Sequence, residues 1–358
     1  MARLEARSRW YPRHMGNDAP LAVAVTGPTG TFGMALMAQL EADDRVGRVV
    51  GIARRPFDPA VHGWKKMEYR QGDVRDQAAL ESAFAGVDVV VHLAFLITGN
   101  ADAETIRAVN IDGTVNVFRA AAAAGAQRFV YASSIAAYGF HDDNPIGMTE
   151  EWPVRPDEGL FYAQEKAELE QTLQQLSTAH PTIDLYVLRP PVVLGPNTIG
   201  AKDVVPGPLA PLVRRLIEQF GQPRRSRVPF PVLSSPLQFQ FVHEDDVAQA
   251  LLLCIVGAGR PGAYNITGDG VVTGDDVVRE LGLIPVPVPE QVVRWSARQA
   301  ARLARLPGAP PSAQWAQAAT HPAIMDATKA REQLGWRPRY TGLEALQATL
   351  DNEGSQAG

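Results

Sequence analysis

Thr26-Gly27-Pro28-Thr29-Gly30-Thr31-Phe32-Gly33 stands between an apolar run, Leu21 to Val25, and a helical stretch, Met34 to Glu41. A turn that carries a strand into a helix around a pyrophosphate needs glycine at three places. These are the tight exit from the strand, the point of close backbone approach to the phosphates, and the contact of the helix with the strand. The helix N-terminus then offers N–H groups and a partial positive charge to the anion. Glycine turns alone are a weak signal, but here strand, turn and helix come in the required order. A second short strand, Arg48 to Ala53, follows at βαβ distance.

Outward from this turn, short β-branched runs alternate with amphipathic stretches, the pattern of a parallel sheet covered by helices on both faces. The expected fold class is α/β, a doubly wound parallel (Rossmann) sheet with a smaller C-terminal substrate-binding part. Strands are predicted at Leu21 to Val25, Arg48 to Ala53, Lys66 to Gln71, Val87 to Leu93, Arg128 to Ala132 and Asp184 to Leu188. The longest helices between them are predicted at Glu104 to Ala124 and Tyr162 to Leu176. Residues 21–189 form the expected dinucleotide-binding domain. After Arg189, proline and glycine punctuate Pro190 to Pro236, and helices are expected at Glu244 to Val256, Asp275 to Leu281, Pro289 to Leu306 and Leu343 to Leu350. Residues 190–358 read as the substrate-facing part, interleaved with the first, with Pro307 to Ser312 its loosest turn.

Composition narrows the function. The 358 residues can bury a sizeable core. Lys and Arg total 34 against 39 Asp and Glu, a net charge of −5, so no basic field invites nucleic acid or anionic lipid. A small-molecule partner is expected. Cys254 is the one cysteine, which excludes an intramolecular disulfide and a multi-thiolate zinc site, and suits a cytoplasmic location. No apolar run reaches the roughly 18 residues of a bilayer span. Residues 1–20 carry arginines around Trp10 and Tyr11 without a continuous apolar core, and read as a disordered extension.

Tyr162-Ala163-Gln164-Glu165-Lys166 sets a phenol and an ammonium one helical turn apart on one face. A phenol working near neutral pH must be held about three units below its ordinary value of about 10, roughly 4 kcal/mol in favour of the phenolate. A lysine charge and an oxidised nicotinamide can together supply that. Phe129-Val130-Tyr131-Ala132-Ser133-Ser134 closes a strand with hydroxyls at the carboxyl edge of the sheet, where ligands of open α/β folds collect, and Tyr138-Gly139 follow.

With these residues the chain resembles the extended short-chain dehydrogenase/reductase family, also described as the NAD-dependent epimerase/dehydratase family, from about Leu21 to Leu350. The family's nucleotide turn matches Thr26, Gly27, Gly30 and Gly33, with Thr29, Thr31 and Phe32 between them. Its adenine-contacting acid matches Asp73, followed by Val74, and its strand-four motif resembles His92-Leu93-Ala94. Asn110 matches its helix asparagine. The catalytic serine or threonine four residues before Tyr-Gly selects Ser134 over Ser133. Tyr162 and Lys166 match the catalytic tyrosine and lysine, and Leu188-Arg189-Pro190 resembles the strand and turn beside the nicotinamide. The resemblance implies that Tyr162 exchanges a proton with substrate oxygen, that Lys166 holds the nicotinamide ribose, that Ser134 bonds the same oxygen, and that Asn110 supports the active-site helix and a water. Phe241 to Ala248 and Leu334 to Pro338 resemble late, architectural signatures of the family. The family also implies a possible homodimer through the helices of Asn110 and Tyr162; Leu169, Leu173 and Leu176 could supply the apolar contacts or equally face the protein's own sheet.

Three departures refine the expectation. Members preferring NAD end the second strand with an acid; here Arg54 and Arg55 follow Ala53, which favours the 2′-phosphate of NADP(H), with NAD the alternative. Ile135 and Ala136 stand where nucleotide-sugar dehydratases carry an Asp-Glu pair. Phe239 stands where sugar-nucleotide epimerases place an arginine for the diphosphate, and a UDP-sugar would lose a contact of about 1.5 to 3 kcal/mol. Phe95, Phe140, Trp152, Val192 and Trp295 are candidate walls of the substrate pocket. His243 to Asp246 read as a helix cap with first-turn acids rather than a metal site, and His141-Asp142-Asp143 as a solvated loop. The expected function is an NADP(H)-preferring oxidoreductase acting on a carbonyl or secondary alcohol of a largely uncharged metabolite. Its rivals are a nucleotide-sugar 4-epimerase holding NAD and a non-catalytic NADP(H)-sensing protein.

Overall fold

The computed structural model describes residues 19–97, 102–198, 231–235, 237–303 and 321–356. The N-terminal stretch before residue 19 and the turn Pro307 to Ser312 lie outside them. The first strand, β1 (Leu21–Thr26), is a run of small and β-branched residues buried on both faces, as the middle of a parallel sheet requires. Around it stand β2 (Val46–Ala53), β3 (Met67–Gln71), β4 (Val89–His92), β5 (Arg128–Ala132), β6 (Asp184–Arg189) and β7 (Gly262–Asn265). All neighbours pair in parallel, in the order 7-6-5-4-1-2-3. The order reverses at β1 and β4, and the crevice at their carboxyl ends is where such a sheet binds ligands.

The six expected strands form this sheet together with β7, which the sequence did not predict. Gly262-Ala263-Tyr264-Asn265 has neither alternation nor a β-branched run; pairing with β6, Tyr264 against Leu188, makes it a strand. The second half of the chain is thereby woven into the central sheet.

One face of the sheet is covered by α1 (Thr31–Ala42) and packs with Leu36, Met37, Leu40, Val247, Leu251 and Trp336. On the other lie α2 (Gln77–Ala83), α3 (Ala103–Arg107), α4 (Gly113–Ala123) and α5 (Phe161–Ala179), with Leu80, Phe84, Val117 and Phe118 in the core between. Leu169 and Leu173 are fully buried in this second core and partly buried Leu176 packs against it, so of the two expectations for these leucines the one that faces the chain's own sheet holds for Leu169 and Leu173.

The expected single helix from Glu104 to Ala124 is broken. A π-helical turn, Ala108–Asp112, separates α3 from α4. At Gly113 the backbone passes so close to β3's following loop that a Cβ would lie 2.5 Å from Val74 Cγ2. The wider turn accommodates one extra residue and buries Asn110 completely.

In the second half, α6 (Glu244–Ile255) is capped by His243, whose Nδ1 accepts from Asp245 N at 3.1 Å. The Asp246 carboxylate accepts from Arg339 N and Tyr340 N at 2.8 and 3.1 Å, and Trp336 Nε1 donates to the Asp246 carbonyl, which joins the two late signatures. Among the described residues, no helix is long and apolar enough to cross a membrane, and no cluster of three or more His, Cys, Asp or Glu could hold a metal ion.

A Cβ at Gly33 would stand 2.4 Å from Gly27 O and 2.5 Å from the Pro28 carbonyl carbon. Backbone on both counts cannot yield without moving the turn. Gly33→Ala is expected to cost about 1–3 kcal/mol in urea denaturation; an unchanged midpoint would contradict this packing.

Candidate active site

At the cofactor end, Gly27 has φ +73 and lies against the chain after β4, where a Cβ would be 2.9 Å from Ala94 N. Gly27 N donates to Ile52 O at 2.9 Å and Leu93 N to Thr26 O at 3.0 Å, so the turn is fixed to β2 on one side and to Leu93-Ala94 on the other. Helix α1 starts after Gly30 with no side-chain cap and no acid in its first turn. The start of α1, at Thr31, Phe32 and Gly33, thus carries the partial positive charge of a helix N-terminus beside Thr29 and Gly30, of which the Gly30 N–H is taken by Gly27 O at 3.2 Å.

Arg54 and Arg55 are both exposed just beyond β2. Arg54 lines a shallow polar pocket with Gln71, Gly72 and Asp73. The Arg75 guanidinium, 2.7 Å from Asp73, holds that carboxyl below the usual carboxylate range, with a smaller pull from Arg54. Val74 is buried next to Gly113.

At the other end, β5 runs out into Ser133 and Ser134. Ser134 Oγ caps the short turn Ile135–Tyr138 by accepting from Ala136 N at 3.1 Å, and it hydrogen-bonds the Tyr162 phenol. Burial pushes that phenol above its ordinary value and the Ser134 bond pulls it partly back. Without an oxidised cofactor the phenol is thus raised, where the sequence argument asked for it to be lowered. One turn along α5, Lys166 Nζ donates to Ala132 O at 2.7 Å and to Tyr131 Oη at 3.2 Å, and lies 3.8 Å from the centroid of the Phe95 ring. Burial lowers the ammonium to about 7, with Glu170 and Glu165 opposing.

Behind these residues lies a buried ion pair that the sequence did not disclose. Glu170 accepts from Ser133 Oγ at 2.5 Å and pairs with Arg189, also at 2.5 Å. Arg189 Nη1 donates to Tyr138 Oη at 2.7 Å, which donates to Asn265 Oδ1 at 2.9 Å. The network ties α5, β5, β6 and β7 behind Ser134. A hint was available: Glu170 is four residues after Lys166 on the same helix face. Pro190 contributes its carbonyl, which accepts from Ile135 N at 2.9 Å.

Asn110 joins the two ends. Its Oδ1 accepts from Leu96 N at 2.7 Å, while Nδ2 donates to Leu96 O at 3.0 Å and to Glu165 Oε2 at 2.7 Å. Thr114 Oγ1 donates its one proton to Asn110 O at 2.5 Å, so it accepts from His92 Nε2 at 2.8 Å. His92 Nδ1 is then the acceptor for Thr26 Oγ1 at 2.7 Å. Burial pushes this imidazole down to about 3, so it is neutral and its tautomer is fixed by its two neighbours.

Around the reactive end, the Phe95 ring meets Tyr162 edge-on at 5.6 Å, and Phe140 packs with Ala136, Leu160, Tyr162 and Ala163. Trp152 packs with Tyr138 and Met148, whereas Val192 and Trp295 are exposed. Phe239 stacks on Phe241 in an apolar cluster with Leu194 and Val272. The loop His141-Asp142-Asp143 is pinned, not merely solvated: His141 Nε2 bonds Arg155 O at 2.6 Å, Asp143 pairs with Arg155 at 2.8 Å, and Asp142 meets His321. Ser134, Tyr162 and Lys166 thus come together with Asn110 behind them, and Arg54, Arg55 and Asp73 lie at the far end of the crevice.

The chain belongs to the NAD dependent epimerase/dehydratase family, whose pattern matches residues 23–267. It is 27% identical over 337 residues to an uncharacterized protein of Mycobacterium tuberculosis, covering 91% of this chain and 82% of the relative. Sterol demethylase protein B of Methylococcus capsulatus is 31% identical over 258 residues, 71% of this chain and 72% of that one. Among solved structures, a UDP-glucose 4-epimerase of Thermotoga maritima with UDP-glucose superposes with a TM-score of 0.70 at 19% identity, covering 94% of this chain and 100% of that one. DesIV, a dTDP-glucose 4,6-dehydratase of Streptomyces venezuelae with NAD bound, gives 0.69 at 21% identity, covering 94% and 98%. These two share the fold.

Removing one member of the Glu170–Arg189 pair leaves a buried charge uncompensated. Glu170→Gln is expected to lose about 3–5 kcal/mol of stability, and Glu170→Met with Arg189→Met to recover a large part of it, both read from urea midpoints.

Proposed function

We propose that this protein is an NADP(H)-preferring oxidoreductase that reduces a ketone, or oxidises a secondary alcohol, on a largely uncharged and predominantly apolar small molecule. The observation that carries the reading is the Tyr162 phenol on Ser134 with the Lys166 ammonium one turn below. When bound in the cradle, a nicotinamide dinucleotide supplies or receives the hydride. The cradle formed by the glycine turn and the start of α1 fits it: at Gly30 a Cβ would meet only Gly27 O, at 3.5 Å, so the backbone is open to close approach there, and α1 starts without a side-chain cap.

Tyr162 transfers the proton. Buried and protonated at rest, it is set to donate to a forming alkoxide, with Ser134 fixing the same oxygen. In the oxidative direction Tyr162 takes the hydroxyl proton, and the nearby Lys166 charge favours the phenolate that this needs. Asn110 holds the Leu96 backbone and the π-helical turn, so it is a positioning residue and its amide is occupied by protein. Arg54 and Arg55, at the end of a second strand that lacks an acid, would meet a 2′-phosphate.

The substrate class rests on two considerations. No guanidinium stands at Phe239 for a diphosphate, which weighs against the 4-epimerase reading although the same three side chains serve that reaction. The relative named sterol demethylase protein B points to a sterol-like molecule, an uncharged polycycle with a reacting oxygen.

Tyr162→Phe is expected to lower kcat on a competent ketone or hydroxysteroid at least a hundredfold while the chain keeps its fold, since a positioned acid contributes about 10²–10⁴. Retained turnover would remove Tyr162 from the mechanism. Nucleotide-free protein is expected to bind NADPH more tightly than NADH, and replacing Arg54 and Arg55 by Ala to erase about tenfold or more of that preference in parallel titrations. Equal affinities in the unaltered chain would contradict the 2′-phosphate assignment.

A further inference from the structure

Strand β2 ends at Ala53, and the next three residues, Arg54, Arg55 and Pro56, are exposed. A segment that leaves a sheet into solvent is ordinarily mobile. This one is fixed by the neighbouring strand. Gly72 N donates to Ala53 O at 3.0 Å, Gln71 Nε2 donates to Arg54 O at 2.9 Å, and the Tyr69 hydroxyl donates to Arg55 O. The same hydroxyl lies 2.9 Å from Ala53 O, but that carbonyl is served by Gly72 N, which leaves the single phenolic proton for Arg55. Tyr69 and Gln71 are two residues apart on β3 and so stand on one face of the sheet. Arg54 is thus held at the carbonyl before it, at its own carbonyl and at the one after it.

Farther along, the Phe57 ring packs on Tyr69 at 5.5 Å, His62 stacks on Phe57 at 5.3 Å and Trp64 on His62 at 4.7 Å, so the far end of the segment is anchored on the ring of the same tyrosine. The Arg54 side chain lines its pocket with Gln71, Gly72 and Asp73. Asp73 is already claimed there, since Arg75 donates to it from Nε at 3.0 Å and from Nη2 at 2.7 Å. Among the described residues no acid forms an ion pair with Arg54, and its guanidinium is left for a ligand.

We propose that Tyr69 and Gln71 are positioning residues for nucleotide specificity: their side chains fix the backbone of Arg54 so that its guanidinium is preset for the 2′-phosphate of an adenine dinucleotide. A guanidinium on a loose loop gives up freedom when it closes on a phosphate, and one on a fixed backbone gives up less. Tyr69 acts only through the backbone, whereas Gln71 also borders the pocket. The bearing on the 2′-phosphate rests on the NADP(H) reading; the holding of Arg54 stands apart from it.

Tyr69→Phe removes the hydroxyl and keeps the ring against Phe57, and Gln71→Met removes the donor to Arg54 O at similar length. In the nucleotide-free full chain, labelled with nitrogen-15 in arginine and with Arg54→Lys to assign the signal, the Arg54 amide is expected to show the order parameter of rigid backbone, about 0.85, and in each variant to fall toward about 0.6. In parallel titrations adenosine 2′,5′-bisphosphate is expected to bind each variant about three- to tenfold more weakly than the unaltered chain, and adenosine 5′-monophosphate equally well. An unmoved order parameter overturns the assignment. So does an equal loss for both nucleotides, the mark of a merely structural change, or full discrimination kept on a loosened segment. Equal binding of the two nucleotides by the unaltered chain refutes the NADP(H) reading instead, and the order parameters then decide by themselves whether Tyr69 and Gln71 hold Arg54.

Discussion

A chain of buried hydrogen bonds running Thr26, His92, Thr114, Asn110 sets the geometry on which both ends of the site depend. It starts at the last residue of β1, directly before the glycine turn, crosses β4, and ends in the π-helical turn that bonds Leu96 and Glu165. Each donor has one acceptor, so no member can rotate without leaving a buried polar group unpaired, at about 1–3 kcal/mol each. Because the imidazole is held neutral by burial, the chain does not change with pH in the working range. The cradle for the cofactor and the helix that carries Tyr162 and Lys166 are thereby held in one register.

Burial is the second constraint. Tyr162 and Lys166 sit where water is largely excluded, which raises the phenol and lowers the ammonium, away from each other. Two groups whose ordinary values lie near 10 are thereby separated, the phenol holding its proton and the ammonium brought near neutrality. The stiff wall behind them is the Glu170–Arg189–Tyr138–Asn265 network. Its last member comes from β7, so the second half of the chain helps to hold the first half's active-site strand. A second half woven into the sheet is placed more rigidly than one joined by a linker.

Much of this was legible in the residues. The glycine turn had to be what it is for steric reasons, and contacts of 2.4–2.9 Å at the Cβ positions of Gly33 and Gly27 explain why the sequence shows it so plainly. Six strands followed from β-branched runs between helical patterns. The seventh did not, because Gly262 to Asn265 is a strand only by virtue of its neighbour β6. The π-helical turn was hidden by an alanine-rich stretch whose propensity argues for one unbroken helix. Family resemblance selected Ser134 over Ser133, and in the fold Ser134 lies on Tyr162 while Ser133 is taken up by Glu170. That Glu165 is buried, and that the Glu170 side chain is only 9% exposed against Arg189, is visible in the tertiary structure alone.

The central claim is that hydride leaves or enters the substrate for good, and does not return to it within the site. The most direct test is to supply NADPH carrying deuterium at the transferable C4 position with a panel of ketones, ketosteroids among them, and weigh the products. The account predicts one deuterium at the new carbinol carbon for each NADPH oxidised. Products of unchanged mass with no net oxidation of cofactor, from protein that retains stoichiometric NAD through purification, would contradict it and make the chain a 4-epimerase.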